Sequence, residues 1–213
     1  FLGHPGLILN DDTGYHMRPH FKFVKTQHDE EGLLRLEFAD PTCLVTYVLN
    51  VEADAETDVI TLCAELKAPD GVHVHWFSAP VVPAPQLADD FMTFTGRWTG
   101  EFQTTSVPWA QGAHMATAPG GRTSHERQPG VFLPERGATQ TQGDAYGLHL
   151  GWSGGHRLIA EELPSGRRQV QMGATGKLAP EDRPIATPTL YVRSSKRGMK
   201  GVAHAFHRHV HER

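Results

Sequence analysis

The feature that most constrains this chain is its punctuation. Short β-branched and apolar runs recur, and each is soon closed by glycine, proline, Asp-Gly or Asp-Pro. Gly32–Phe38 alternates apolar and polar residues and ends at Asp40-Pro41. Thr42–Val51 and Asp58–Lys67 follow, and the polar link Glu52–Thr57 between them predicts a hairpin loop. Asp70-Gly71 turns the chain into Val72–Phe77, after which Pro80, Pro83 and Pro85 break regular structure. Farther on, Tyr146–Trp152 and His156–Leu163 read as strands, with Gly154-Gly155 as a turn, and Pro164-Ser165-Gly166 leads into Arg167–Met172. Strands this short and turns this frequent predict an all-β sandwich or barrel. Two places admit a helix. One is Leu87–Met92; the other is Val202–Arg213, where Val202, Phe206 and Val210 keep a helical period.

Composition narrows the class. With 213 residues the chain suits one large domain or two small ones. A net charge of −4 gives no electrostatic footprint for nucleic acid. No apolar run approaches the ~18 residues of a membrane span, so no transmembrane helix is expected; the expected location is cytoplasmic. The two cysteines, Cys43 and Cys63, sit in apolar stretches; such sparse usage predicts buried free thiols. A bridge between them would need strands in a suitable register. Phe1 is not an initiator, and the second helical signal stands at the very end of the sequence, which together predict a piece of a longer protein.

Most chemical motifs fail on their context. Gly151-Trp152-Ser153-Gly154-Gly155 fits G-x-S-x-G, but the residues after it read as a strand, whereas a nucleophile elbow needs a helix there. A hairpin turn is the expectation. His73 and His75 share one face of a strand, but no third ligand follows them, so no metal is expected. His204, His207 and His211 share a helical face and read as solvated. The pairs Asp11-Asp12, Glu30-Glu31, Asp89-Asp90 and Glu161-Glu162 read as surface charge, because strand neighbours point to opposite faces. Neither nucleotide-binding glycine motif is present, and no cofactor is expected. Trp76, Trp98, Trp109 and Trp152 form an aromatic set, with Arg97, Arg122 and His125 near it in sequence. Aromatic platforms with convergent polar groups are what sugar sites use, although buried tryptophan is the plain alternative.

An ordered series of residues carries a family resemblance. It runs Gly96-Arg97-Trp98, Glu101, Gly120-Gly121-Arg122-Thr123-Ser124-His125 and Pro129, then Gly143-Asp144-Ala145-Tyr146-Gly147 and Trp152-Ser153-Gly154. It continues through Arg168, Gln171 and Gly173, then Thr187-Pro188-Thr189-Leu190-Tyr191, Gly198-Met199 and Phe206-His207-Arg208. With the opening Phe1–Leu7, this resembles the N-terminal β-supersandwich domain of glycoside hydrolase family 36 α-galactosidases across nearly the whole chain. It departs from that pattern at Gly100, Gln128 and Gly155.

The resemblance implies a galactose-mutarotase-like supersandwich over residues 1–201, with residues 202–213 starting a linker helix toward a (β/α)8 catalytic barrel. It implies a non-catalytic fragment of a retaining α-galactosidase whose two catalytic aspartates lie on that barrel. Its partners would be the barrel, galactosides and a homo-oligomer. Asp12, Arg18, Trp98 and His125 are the residues through which the domain would help wall a substrate pocket. Two other readings stay open: a stand-alone carbohydrate-binding module, and a mutarotase-type epimerase in which His125 would converge with Glu135 or Glu101.

Overall fold

A long antiparallel sheet is the centre of the fold, with two smaller sheets on one of its faces and a helix on the other. The computed structural model describes residues 3–30, 32–120, 126–176 and 184–212. In chain order, β1 (Leu7–Asn10) and β2 (His16–Met17) form a small hairpin. Then come β3 (Lys22–His28), β4 (Leu34–Asp40), β5 (Val45–Ala53), β6 (Ile60–Lys67), β7 (His73–Phe77) and β8 (Val82–Pro83). The middle holds β9 (Asp90–Arg97), β10 (Gly100–Pro108), β11 (Gly112–Ala118), β12 (Arg127–Pro134) and β13 (Ala145–Leu150). The last elements are β14 (His156–Glu162), β15 (Arg168–Ala174), β16 (Ile185–Ala186), β17 (Leu190–Ser195) and α1 (Gly198–His211).

The long sheet has ten strands in the order β10-β9-β12-β13-β17-β6-β5-β4-β3, with β16 paired to β6. Two smaller sheets tile its inner face. The four-stranded sheet β11-β14-β15-β8 covers one half. There Phe91, Val131, Leu133, Leu148 and Leu190 pack against Leu158, Ala160, Val170 and Met172. The three-stranded sheet β2-β1-β7 covers the other half, with Leu9, Val72 and Phe77 packed on Val45, Ala64 and Leu66. This is the all-β supersandwich. Among the described residues, no helix is long and apolar enough to cross a membrane.

The two smaller sheets meet at a buried polar seam. Trp76 Nε1 donates to Gln171 Oε1 at 3.3 Å, and Gln171 Nε2 donates to the His4 carbonyl at 2.6 Å. Gly173 has no side chain at this seam because a Cβ there would stand 2.9 Å from the Trp76 ring. The N-terminal segment is strapped down beside the seam: His4 N and Gln169 Nε2 both donate to Glu161, at 2.8 and 2.9 Å.

α1 lies on the outer face of the long sheet, over β12, β13 and β17. Met199, Val202 and Phe206 are the residues that pack on Ala145 and Phe132. Gly147 of β13 allows the approach, since a Cβ there would come within 2.5 Å of Val202. No side chain caps the helix. Instead, loop carbonyls accept its first amides: Gly198 N donates to Gly143 O (2.9 Å), Met199 N to Thr139 O (3.4 Å) and Lys200 N to Gln140 O (2.8 Å). Its far end is held by buried His209, whose Nδ1 lies 2.6 Å from Asp54 Oδ2, with the Tyr191 ring edge-on at 5.5 Å. Asp54 also organises the β5–β6 loop, accepting from Glu56 N and Thr57 N.

The structure corrects three readings of local sequence. Leu87–Met92 is not helical. Ala88 N donates to Pro85 O in a turn, and β9 begins at Asp90 with Phe91 and Thr93 facing inward. So short a helix would not repay its nucleation, whereas the alternating strand buries Phe91. The terminal helix begins at Gly198 rather than Val202, because tertiary carbonyls rather than a local cap define its start. Residues 151–155 are not a hairpin turn. β13 belongs to the long sheet and β14 to the four-stranded one, so the glycines carry the chain from one layer to the other. The Glu52–Thr57 link does connect an antiparallel pair, β5 and β6. Cys43 and Cys63 are both free thiols, half-buried.

Two predictions follow from this packing. Gly147→Val overfills the helix–sheet contact and should cost about 1–3 kcal/mol, read as a Tm lower by roughly 2–10 °C. Asp40 is held near 2 by the amide of His20, and Asp54 is held below the usual carboxylate range by Thr57 and then His209. A depressed carboxylate contributes stability above its unfolded pKa of about 4 and loses it as pH falls through the folded value. The Tm should therefore fall from about pH 4 toward pH 2, and Asp40→Asn should flatten that limb in a pH series of melting curves.

Candidate functional site

Asp12, Arg18 and Trp98, three of the residues singled out in the sequence, sit on two hairpins of different sheets. Asp12 is at the tip of the β1–β2 hairpin. There Asp11 Oδ1 accepts from Thr13 N, Thr13 Oγ1 and Tyr15 N and builds the turn. These bonds, the Thr13 hydroxyl first, lower the pKa of Asp11. Asp12 Oδ1 lies 3.2 Å from His73 Nε2 on β7, and both side chains are exposed. Gly71 runs beneath Asp12 at φ +81°, where a Cβ would stand 2.5 Å from the carboxylate. Arg18 is exposed one residue beyond the Leu9–Met17 pair and makes no ion pair among the described residues.

Trp98 is at the tip of the β9–β10 hairpin, on the edge of the long sheet, with 74% of its surface exposed. Thr99 beside it has φ 65°, and its amide donates to Glu101 Oε1. His125 and Arg122 lie outside the described residues.

The four tryptophans do not form one platform. Trp76 is buried in the polar seam. Trp109 packs on Phe91 at 4.8 Å beneath the Arg168 guanidinium. Trp152, on the connection between the layers, donates to Gly155 O. Each tryptophan follows the needs of its own element, which sequence proximity does not reveal.

General acid–base chemistry finds no shared pocket in these residues either. Glu101 lies near the end of the long sheet where Arg127 pairs with Thr95. Glu135 follows the opposite end of β12 and accepts from the Tyr146 hydroxyl at 3.3 Å. At the rise of a strand the two are roughly 25 Å apart, far beyond the reach of one substrate atom. Three of the paired acids have structural partners: Glu162 binds Arg168, Asp89 binds Arg136, and Asp90 accepts from Ser106. Ser153 is followed by β14 rather than a helix, so it does not sit on a nucleophile elbow. Among the described residues, no group of three or more His, Cys, Asp or Glu side chains is placed to hold a metal ion.

What the fold does build is an apolar cleft. It runs between α1 and the outer face of β9, β10, β12 and β13, and has a volume of about 480 Å³. Phe94, Phe102, Phe132, Phe206 and Val210 line it, with Gly130 in its floor. Phe102 is 66% exposed and Val210 74%. Phe102 has φ 57°, at a bulge where the β9–β10 register shifts. That conformation is costly for a bulky residue, and it stands at the rim of the cleft. His149 is also in the lining; burial, then the neighbouring His156, lowers its pKa. Large exposed apolar side chains grouped around a cleft mark interaction surfaces. Sequence reading missed this one. Its signal is an isolated aromatic, Phe102, between Glu101 and Gln103, and an apolar Val210 among charged helix residues.

Comparison with known proteins places this geometry. A sequence-family model described as the glycosyl hydrolase family 36 N-terminal domain matches residues 1–180. The α-galactosidase of Escherichia coli is 36% identical over 138 residues, which make up 63% of this chain and 20% of that protein. Alpha-galactosidase AgaA of Geobacillus stearothermophilus is 25% identical over 189 residues, 85% of this chain and 26% of the relative. The solved structure of an AgaA variant in complex with raffinose superposes with a TM-score of 0.86 at 20% identity, covering 95% of this chain and 32% of that one. The galactosidase domain of the α-galactosidase–sucrose kinase AgaSK superposes at 0.85 and 21% identity, covering 96% and 32%. The chain spans a third or less of each of these proteins. By its sequence match and its supersandwich architecture, it belongs to the N-terminal domain family of glycosyl hydrolase family 36.

Proposed function

We propose that this chain is the non-catalytic N-terminal domain of a retaining α-galactosidase, which removes terminal α-galactosyl residues from oligosaccharides. The observation that carries this reading is the coverage. Relatives that are α-galactosidases match this chain over a fifth to a quarter of their own length, and the acid pairs Asp89-Asp90 and Glu161-Glu162 are tied up in structural contacts. Retaining hydrolysis needs two carboxyl groups about 5 Å apart across the sugar. In this reading they stand on a catalytic (β/α)8 barrel of the same protein.

The domain acts by docking. The cleft beside α1, with Phe102 and Val210 at its rim, receives the barrel, and burying those side chains supplies the association energy. Asp12 and Arg18 on one hairpin and Trp98 on the other, together with His125, help wall the galactoside pocket, within one subunit or across a homo-oligomer. The Arg18 guanidinium offers fork-shaped donors to sugar hydroxyls. The half-buried free thiols Cys43 and Cys63 accord with a reducing, cytoplasmic setting.

Three measurements test this reading. The purified chain should give no turnover on a chromogenic α-galactoside, while the protein carrying the barrel should; turnover that tracks the isolated chain would overturn it. Phe102→Asp with Val210→Asp should abolish binding of the barrel in a pull-down and leave the melting curve of the chain within a few degrees of the parent. Arg18→Ala in the barrel-containing protein should raise KM by about tenfold with kcat nearly unchanged, the mark of lost ground-state binding.

A further inference from the structure

A second concavity lies on the other half of the molecule, where the β1–β2 hairpin meets β5 and β7. It has a volume of about 230 Å³ and is walled by the rings of Phe21, Tyr47 and Phe77, with Gly6, Ser78 and Pro80 completing it. The rings form a corner rather than a stack. Phe21 and Tyr47 are 5.7 Å apart at 50°, and Tyr47 and Phe77 are 6.2 Å apart at 77°. The corner is held from outside. Asp40 accepts from His20 N at 2.6 Å and so fixes the segment that carries Phe21. Ser78 N and Oγ both donate to Gly6 O, at 2.9 and 3.2 Å. Gly6 permits this approach because a Cβ there would stand 2.9 Å from Ser78 Oγ.

The chemistry of this recess is selective. Its lining contains no charged side chain. The Tyr47 hydroxyl has no hydrogen-bond partner among the described residues, and burial pushes its pKa up to about 12, so it stays a neutral donor and acceptor. A charged ligand would find no counter-ion here. A purely apolar ligand would leave the Tyr47 hydroxyl unmet, at a cost of about 1–3 kcal/mol. The recess is smaller than the ~300–1,000 Å³ clefts that take drug-sized molecules, and so suits one ring rather than a chain of rings. A neutral ring with a C–H face and a rim of hydroxyls meets all three conditions.

We propose that this recess binds a single pyranose ring, its apolar face against the Phe21–Phe77 corner and a ring hydroxyl hydrogen-bonded to Tyr47. The choice of an α-galactoside as the pyranose rests on the α-galactosidase reading above; the pyranose class rests on the recess alone.

The experiment is a titration of the purified chain, followed by saturation-transfer NMR, with methyl α-galactopyranoside, methyl α-glucopyranoside and cyclohexanol. Saturable binding of the galactoside is expected, and cyclohexanol should bind more weakly. Tyr47→Phe removes one oxygen and keeps the ring, and should weaken sugar binding about three- to tenfold with an unchanged melting curve. Val210→Asp, at the distant cleft beside α1, should leave the affinity unchanged. No saturable sugar binding, or equal binding by parent and Tyr47→Phe, overturns the proposal even if the barrel-containing protein hydrolyses α-galactosides. Tyr47-dependent binding of the glucoside alone upholds the pyranose site and counts against the galactoside reading.

Discussion

The rest of the structure depends on one mismatch of lengths. The ten-stranded sheet is longer than either sheet that covers its inner face. Burial of that face is the main favourable term in folding this chain, so two sheets must share it and their junction must be sealed. The seal is polar. Trp76, Gln171 and the His4 carbonyl form one chain of hydrogen bonds, with Glu161 taking the His4 amide beside it. Buried polar groups cost little when each has a partner and much when one is removed. The N-terminal segment is therefore part of the core rather than a tail, since its backbone supplies partners to Glu161 and Gln171.

The outer face of the long sheet is solved differently, and the candidate site comes from that solution. One helix covers only the middle strands. Its start is defined by loop carbonyls and its end by the Asp54–His209 contact. Because the helix covers the centre and not the β9–β10 edge, a cleft remains between them, and Phe94, Phe132 and Phe206 face it. The exposed rim of that cleft suits a domain that completes its burial against another body. The same logic explains the distribution of acids: those paired with Arg35, Arg136, Arg168 and Arg193 hold strands and loops in place.

The two concavities differ in the chemistry they present. The cleft beside α1 is broad and apolar, with its large side chains exposed at the rim, as association surfaces are. The recess under the β1–β2 hairpin is small, aromatic and carries an unmatched hydroxyl, as small-molecule sites are. They lie over opposite halves of the long sheet, so a macromolecular contact and a ligand can be accommodated independently.

Much of this architecture was legible in the residues. Alternation in Gly32–Phe38 and the apolar runs at Thr42–Val51 and Asp58–Lys67 became adjacent strands β4, β5 and β6, because a period of two leaves only one way to face a core. The ordered Gly-Arg-Trp to Phe-His-Arg series carried the family. What local sequence could not supply was partnership. Residues 151–155 look like a hairpin turn whether the flanking strands pair or part, and only the tertiary fold sends β13 and β14 to different sheets. Leu87–Met92 has no local reason to refuse a helix until Phe91 finds its place opposite β14 and β15. The cleft and the aromatic recess are likewise not assembled by local sequence, since Phe102 and Val210, or Phe21, Tyr47 and Phe77, come together only from segments far apart in the chain. Periodicity and turn chemistry act over a few residues, and so the sequence by itself determined which segments are strands and which family they build. Which faces meet, and which apolar surface is left over, depend on long-range burial, and these only the tertiary structure decided.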